Sequence, residues 1–146
     1  YYCQVREHAE KEHNRIVPIC AKIEEELSEL DKEEKDLFLQ DLGIQESGLD
    51  QVIKSAYAIL DLCTFLTAGE DECRAWTFHR GMKAPQCAGV IHTDFERGFI
   101  RAEAYSFEDI DELESEHAIK EAGKLRSEGK EYVVQDGDIL HFRFNV

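Results

Sequence analysis

Ile23, Leu27 and Leu30 recur at intervals of four and three, which places them on one face of a helix. Before them, residues 5–13 are polar and helix-prone, and Asn14 can close that helix. Ile16-Val17-Pro18-Ile19-Cys20 is an apolar run of strand length, with Pro18 placing it at an edge or strand end. Asp31 followed by Glu34 reads as a capping box that opens a second helix carrying Leu37, Phe38 and Leu42, and Gly43 is its stop. A turn at Gln45 to Gly48 precedes another stripe, Leu49, Val52, Ile53, Ala56, Tyr57 and Leu60.

After Asp61 the period shortens toward two. Leu62 to Thr67 and Cys73 to Arg80 read as a hairpin about a turn at Ala68-Gly69-Glu70-Asp71. Pro85 suits the first turn of a helix running to Ile91, and His92-Thr93-Asp94 reads as the polar turn that ends it. Phe99 to Tyr105 alternates as a third strand. Ser115 caps a helix predicted to reach Leu125. Asp136-Gly137 turns into a last strand, Ile139 to Val146. Leu140, Phe142, Phe144 and Val146 share one of its faces, and His141, Arg143 and Asn145 share the other. Strand, strand, helix, strand, helix, strand is the order of an α+β domain, a small mixed sheet with helices on one face. The change of period puts a domain boundary between Asp61 and Leu62.

Charge narrows the function. Among 146 residues, 17 Lys and Arg face 32 Asp and Glu, a net charge of −15. That excludes a polybasic DNA or membrane binder and leaves room for a local basic patch. No apolar run approaches the roughly 20 residues that span a bilayer, and the first residues do not resemble a signal peptide. The only methionine is Met82, so Tyr1 is read as lying downstream of a natural start. Cys3, Cys20, Cys63, Cys73 and Cys87 form no CxxC and fit no zinc spacing, as expected of free thiols in a reducing cytosol.

Most chemistry-bearing residue types read as surface. His8, Glu12 and His13 do not share one helix face, and the acidic runs at Glu24 to Glu26, Asp31 to Asp36 and Glu108 to Glu116 lack calcium-loop spacing. No GxxxxGK[ST] phosphate loop is present. Two places stand out. Cys20-Ala21-Lys22 follows an expected strand end and opens a helix, a common position for ligand contact in an α/β sheet. In the second half, alternation sets Thr77 and His79 opposite Trp76 and Phe78, and His141 and Arg143 opposite the last strand's aromatics. If helices cover the aromatic face, an open polar face remains. His79, Arg101, His141 and Arg143 are then the candidates for contact with RNA phosphates.

Several long segments resemble the YchF family of Obg-related P-loop NTPases. They are Thr64 to Gly69 with Arg74-Ala75-Trp76-Thr77, Lys83-Ala84-Pro85-Gln86, Gly89 to Glu103, Glu121 to Lys124 and Tyr132 to Val146, the last similar to bacterial members. The resemblance implies that residues 62–146 are a TGS domain, a ubiquitin-like β-grasp fold. It also implies that residues 1–61 are the tail end of a P-loop G domain, with Ile16 to Cys20 its last strand. Cys20, Ala21 and Lys22 would match the loop that helps hold the purine base. The phosphate loop, switch regions and coiled-coil insertion of the G domain would lie before Tyr1. The intact parent would bind ATP or GTP with Mg, hydrolyse ATP in preference, and engage the ribosome or RNA in the cytoplasm. This stretch alone would bind no cofactor, hold no metal and turn over no ATP. Cys73 and Cys87 stand where the family often has Val and Ala, and Cys20 stands in place of a serine. The other expectation from charge is an acidic adaptor that binds proteins and no nucleic acid.

Overall fold

The computed structural model describes every residue except His13, Glu70, Asp71 and Val146. Those four include one histidine of the His8 group, half of the first hairpin turn and the end of the expected last strand. The chain divides into two compact units, Tyr1–Ile59 and Leu60–Val146.

The first unit is helical: α1 (Tyr2–Lys11), α2 (Ala21–Ser28), α3 (Lys32–Asp41) and α4 (Gly48–Ile59). The box before α3 forms as its sequence dictates. Asp31 Oδ1 accepts from Glu34 N at 3.0 Å, and Glu34 Oε2 accepts from Asp31 N at 3.2 Å. Gly43, just past the helix, has a φ of +67°, which its missing Cβ permits. The expected strand at Ile16 to Cys20 does not form. An extended segment becomes a strand only when a neighbour supplies the ladder, and among the described residues none does. The α4 stripe is helical as expected, but Leu49, Val52 and Ile53 are exposed in this unit.

The second unit is a five-stranded mixed sheet in the order β2-β1-β5-β3-β4. Its strands are β1 (Leu62–Ala68), β2 (Cys73–His79), β3 (Phe99–Ser106), β4 (Arg126–Glu128) and β5 (Asp138–Phe144). β1 and β5 run parallel at the centre and the other neighbours are antiparallel. This is β-grasp topology. Helices α5 (Ala84–Ile91) and α6 (Thr93–Arg97) follow the hairpin, and α7 (Phe107–Leu113) and α8 (Glu116–Glu121) follow β3.

Three expectations need correction. His92 does end α5, but its Nδ1 accepts from Asp94 N at 3.2 Å and so caps α6. The helix from Ser115 stops at Glu121, because Gly123 takes a φ of +71° and breaks it. Helices also pack on both faces of the sheet. Phe65, Phe78, Phe99, Leu140 and Phe142 meet Ala84, Cys87 and Ala88 of α5 on one face. On the other, Tyr105 and Ile139 pack with Ile119 of α8 and Ile110 of α7. Of the aromatics expected inside, Phe142 is buried, Trp76 is half-buried, and Phe144 is 37% exposed, stacked on Phe95 at 3.9 Å. Trp76 lies on the edge strand, where alternation sets its side but not its depth.

The end of β5 is held by a close approach. Asn145 N donates to Gly98 O at 2.9 Å, and a Cβ on Gly98 would lie 2.1 Å from the Asn145 carbonyl oxygen. Only glycine fits there, and the fit fixes where the last residues of β5 present their side chains.

Candidate nucleic-acid interface

The β3–β5 register decides which polar residues meet. Arg101 stands opposite Arg143, and Glu103 opposite His141. Strand alternation puts all four on one face. Glu103 joins the two guanidinium groups: Arg143 Nη2 donates to its Oε2 at 3.1 Å, and Arg101 Nη2 to its Oε1 at 3.3 Å. Burial alone would raise the Glu103 pKa. The hydrogen bond and charge of Arg143, with smaller contributions from Arg101 and His141, outweigh burial and hold it below the ordinary carboxylate value. The face therefore carries two permanent cations and one firmly ionised carboxylate. Both arginine side chains remain half exposed, at 54% and 51%.

His79 does not join them. It pairs across from Leu62, at the start of β1, whereas Ile139 lies beside Leu66 in the parallel pair. Counting along the strands from that rung, His79 sits six to eight residues from His141 and Arg143, roughly 20–26 Å at about 3.3 Å per residue. The four candidates thus resolve into a cluster of three and one distant histidine.

Sequence reasoning missed the cluster's neighbour. A cavity of about 280 Å³ lies against this face. Glu103, Tyr105, His141 and Arg143 line it from the sheet, and Glu116, His117, Lys120 and Leu125 from α8 and the loop after it. The Tyr105 hydroxyl donates to Glu116 Oε1 at 2.7 Å. Burial first, and this carboxylate second, push the tyrosine pKa well up. Only the 3.6-residue period of α8, read together with its packing on Tyr105 and Ile139, could have pointed to Lys120.

The other candidate loop is built differently. Cys20 is the extended residue before α2, exposed and making no capping hydrogen bond. Ala21 opens the helix, and Lys22 is 83% exposed, with Nζ 3.8 Å from Glu26 Oε1. Cys20 borders a cleft of about 100 Å³ with Pro18, Ile23, Glu24 and Gly48, which neither Ala21 nor Lys22 lines. Glu24, read from sequence as part of an acidic run, ties this loop to α4. Its Oε1 accepts from Gly48 N at 2.7 Å and its Oε2 from Leu49 N at 3.4 Å, satisfying free amides at that helix start. His8 Nε2 lies 3.5 Å from Glu12 Oε1 on an open helix face, and His13 is outside the described residues. Among the described residues, no three His, Cys, Asp or Glu are grouped to hold a metal ion, and no helix is long and apolar enough to cross a membrane.

Comparison with known proteins now adds a decisive match. The family model YchF-GTPase_C, described as a protein of unknown function (DUF933), fits residues 62–145. The chain belongs to the YchF family. It is 62% identical over 143 residues to the ribosome-binding ATPase YchF of Bacillus subtilis, covering 98% of this chain and 39% of that protein. It is 49% identical over 130 residues to Obg-like ATPase 1 of Gallus gallus, covering 89% and 33%. The structure of the Schizosaccharomyces pombe YchF GTPase superposes with a TM-score of 0.84 at 36% identity, covering 98% of this chain and 38% of that one. The chain thus spans about two fifths of the length of the YchF relatives from bacteria that it matches.

Proposed function

We propose that this chain is the ribosome-directed part of a YchF-like nucleotide-binding protein, and that residues 62–146 act as a TGS domain whose half-exposed Arg101 and Arg143 contact RNA. The observation that carries this reading is the Arg101–Glu103–Arg143 cluster with His141 beside it. It concentrates positive charge in a chain of net charge −15. Long-range attraction to RNA is absent in such a chain, so the contact is local and made by these side chains. The name of the Bacillus subtilis relative, a ribosome-binding ATPase, supports the same partner. His79, at the other end of the sheet, serves as a separate contact.

Residues 1–61 are read as the tail of the G domain, with Cys20, Ala21 and Lys22 as its base-contacting loop. The parent would bind ATP, or GTP, with Mg and hydrolyse ATP in preference, in the cytoplasm. Phosphoryl transfer needs a phosphate cradle, metal ligands and a positioned water. The Cys20 loop offers base contacts alone, so the 146-residue chain is expected neither to bind ATP at micromolar concentration in calorimetry nor to hydrolyse it. A clear micromolar isotherm would reveal a nucleotide site outside this reading.

The test of the RNA face is co-sedimentation of the chain with ribosomes across a salt series. Arg101→Ala and Arg143→Ala are expected to weaken binding and flatten its salt dependence while leaving the fold intact, since both side chains lie on the solvent side of their strands. Binding identical to the wild type at every salt concentration would leave the acidic adaptor as the better account.

A further inference from the structure

Resting on the RNA reading above, we infer that the cavity between β5 and α8 is a pocket for a single phosphate group, with Lys120 as its principal ligand. The argument is an inventory of donors and acceptors. Both carboxylates that line the cavity are engaged: Glu103 by Arg101 and Arg143, and Glu116 by the Tyr105 hydroxyl. The donors are less committed. Among the described residues, no carboxylate lies within ion-pair distance of Lys120 Nζ. Among the described residues, His117 meets only Glu121, at 3.7 Å. His141 makes no side-chain hydrogen bond among the described residues and sits on the rung beside Glu103. The uncommitted donors, led by Lys120, favour a ligand that brings acceptor oxygens, as a phosphate does. Its volume, about 280 Å³, exceeds that of a phosphate, and α8 is fixed to the sheet by buried Ile119, so the donors on the two walls hold their spacing.

A phosphate could come from an RNA backbone or from a free phosphate ion, and the two sources are separable. The whole 146-residue chain is titrated, by NMR, with inorganic phosphate and with a single-stranded RNA oligomer of mixed sequence. Both are expected to shift the Lys120, His117 and His141 signals. Lys120→Gln should weaken RNA binding about tenfold and make the log–log salt slope shallower by about 0.7, the value for one phosphate on a single strand. Lys130→Gln, an exposed charge that does not line the cavity, serves as the control and should bind as the wild type does. Because Lys120 is exposed, an unchanged amide spectrum is expected to show that the variant folds.

Phosphate shifts at these residues without RNA binding would uphold the pocket, assign it to the free ion and sink the RNA reading. RNA binding that Arg101→Ala weakens but Lys120→Gln leaves unchanged would overturn the pocket and spare the RNA face. No shift at these residues with either probe would overturn the pocket as well.

Discussion

Asp138, at the start of β5, is the buried carboxylate of the sheet unit, 3% exposed. It accepts from Arg126 Nη2 at 3.0 Å, from the Tyr132 hydroxyl at 2.6 Å and from Gln135 N at 2.9 Å, so it joins β4 and the preceding loop to the central strand. Asp138→Ala removes all three bonds, each worth about 1.5–3 kcal/mol to a charged acceptor. The full sum overstates the loss. Arg126 is 42% exposed and can turn to water. The Tyr132 hydroxyl hydrogen and the Gln135 amide both lose their acceptor. A cost of about 3–4 kcal/mol remains, against a total of about 4–13 kcal/mol for a unit of this length. Trp76 is the only tryptophan and lies in this unit, so its fluorescence in urea follows the sheet alone. The midpoint should fall by about 2 M at an ordinary slope for a small domain. Asp136→Ala is the internal standard. Its exposed carboxylate accepts one bond, from Thr64 N at 2.7 Å, and should cost about 1 kcal/mol. If Asp138→Ala moved the midpoint no further than Asp136→Ala, the buried network would not be what secures β5.

Other expectations follow from the same geometry. Phe65, wholly buried against Trp76, Phe78 and Phe142, should cost about 3–5 kcal/mol as Phe65→Ala, and half-buried Trp76 clearly less; equal losses in matched melts would contradict the assigned depths. Burial pushes the Cys87 thiol up to about 12, so it should resist a thiol reagent at pH 8 while exposed Cys3, Cys20 and Cys73 react; labelling of Cys87 in the folded chain would refute this. Glu103 is held below its ordinary value of 4.5, so its contribution to stability is complete above that value and is lost as pH falls through the lower folded one. Arg143→Ala should move the Glu103 titration upward by carboxyl NMR, and an unmoved titration would show that Arg143 is not the cause.

Local chemistry was legible wherever a few neighbouring residues decide the outcome. Asp31 with Glu34, Pro85 in the first turn of α5 and Ser115 before α8 all sit where their side chains predict. Alternation set the correct faces for Trp76, Phe78, Phe142 and Arg143. It failed where partners are distant. Ile16 to Cys20 looks like a strand, but strand character belongs to a ladder rather than to a segment. The short elements α6, α7 and β4 hold too few residues for a period to show. The site was half legible for the same reason. Alternation grouped Arg143 with His141, but only the parallel register of β1 and β5 separates them from His79, and only tertiary packing brings Lys120 to them.

That parallel pairing also governs the order in which the domain can be made. β5 is the last strand in chain order, yet it sits between β1 and β3. While the polypeptide is being synthesised, the β1–β2 hairpin and the β3–β4 pair can each close early, but they have no contact ladder with each other until residues 138–144 have left the exit tunnel. Completion then demands pairings across some seventy residues of intervening chain, the kind of long-range closure that slows folding. In that interval the inner edges of β1 and β3 stand open, and both are templates for mispairing with another nascent chain. A chain cut before Asp138 would remain in that exposed condition permanently.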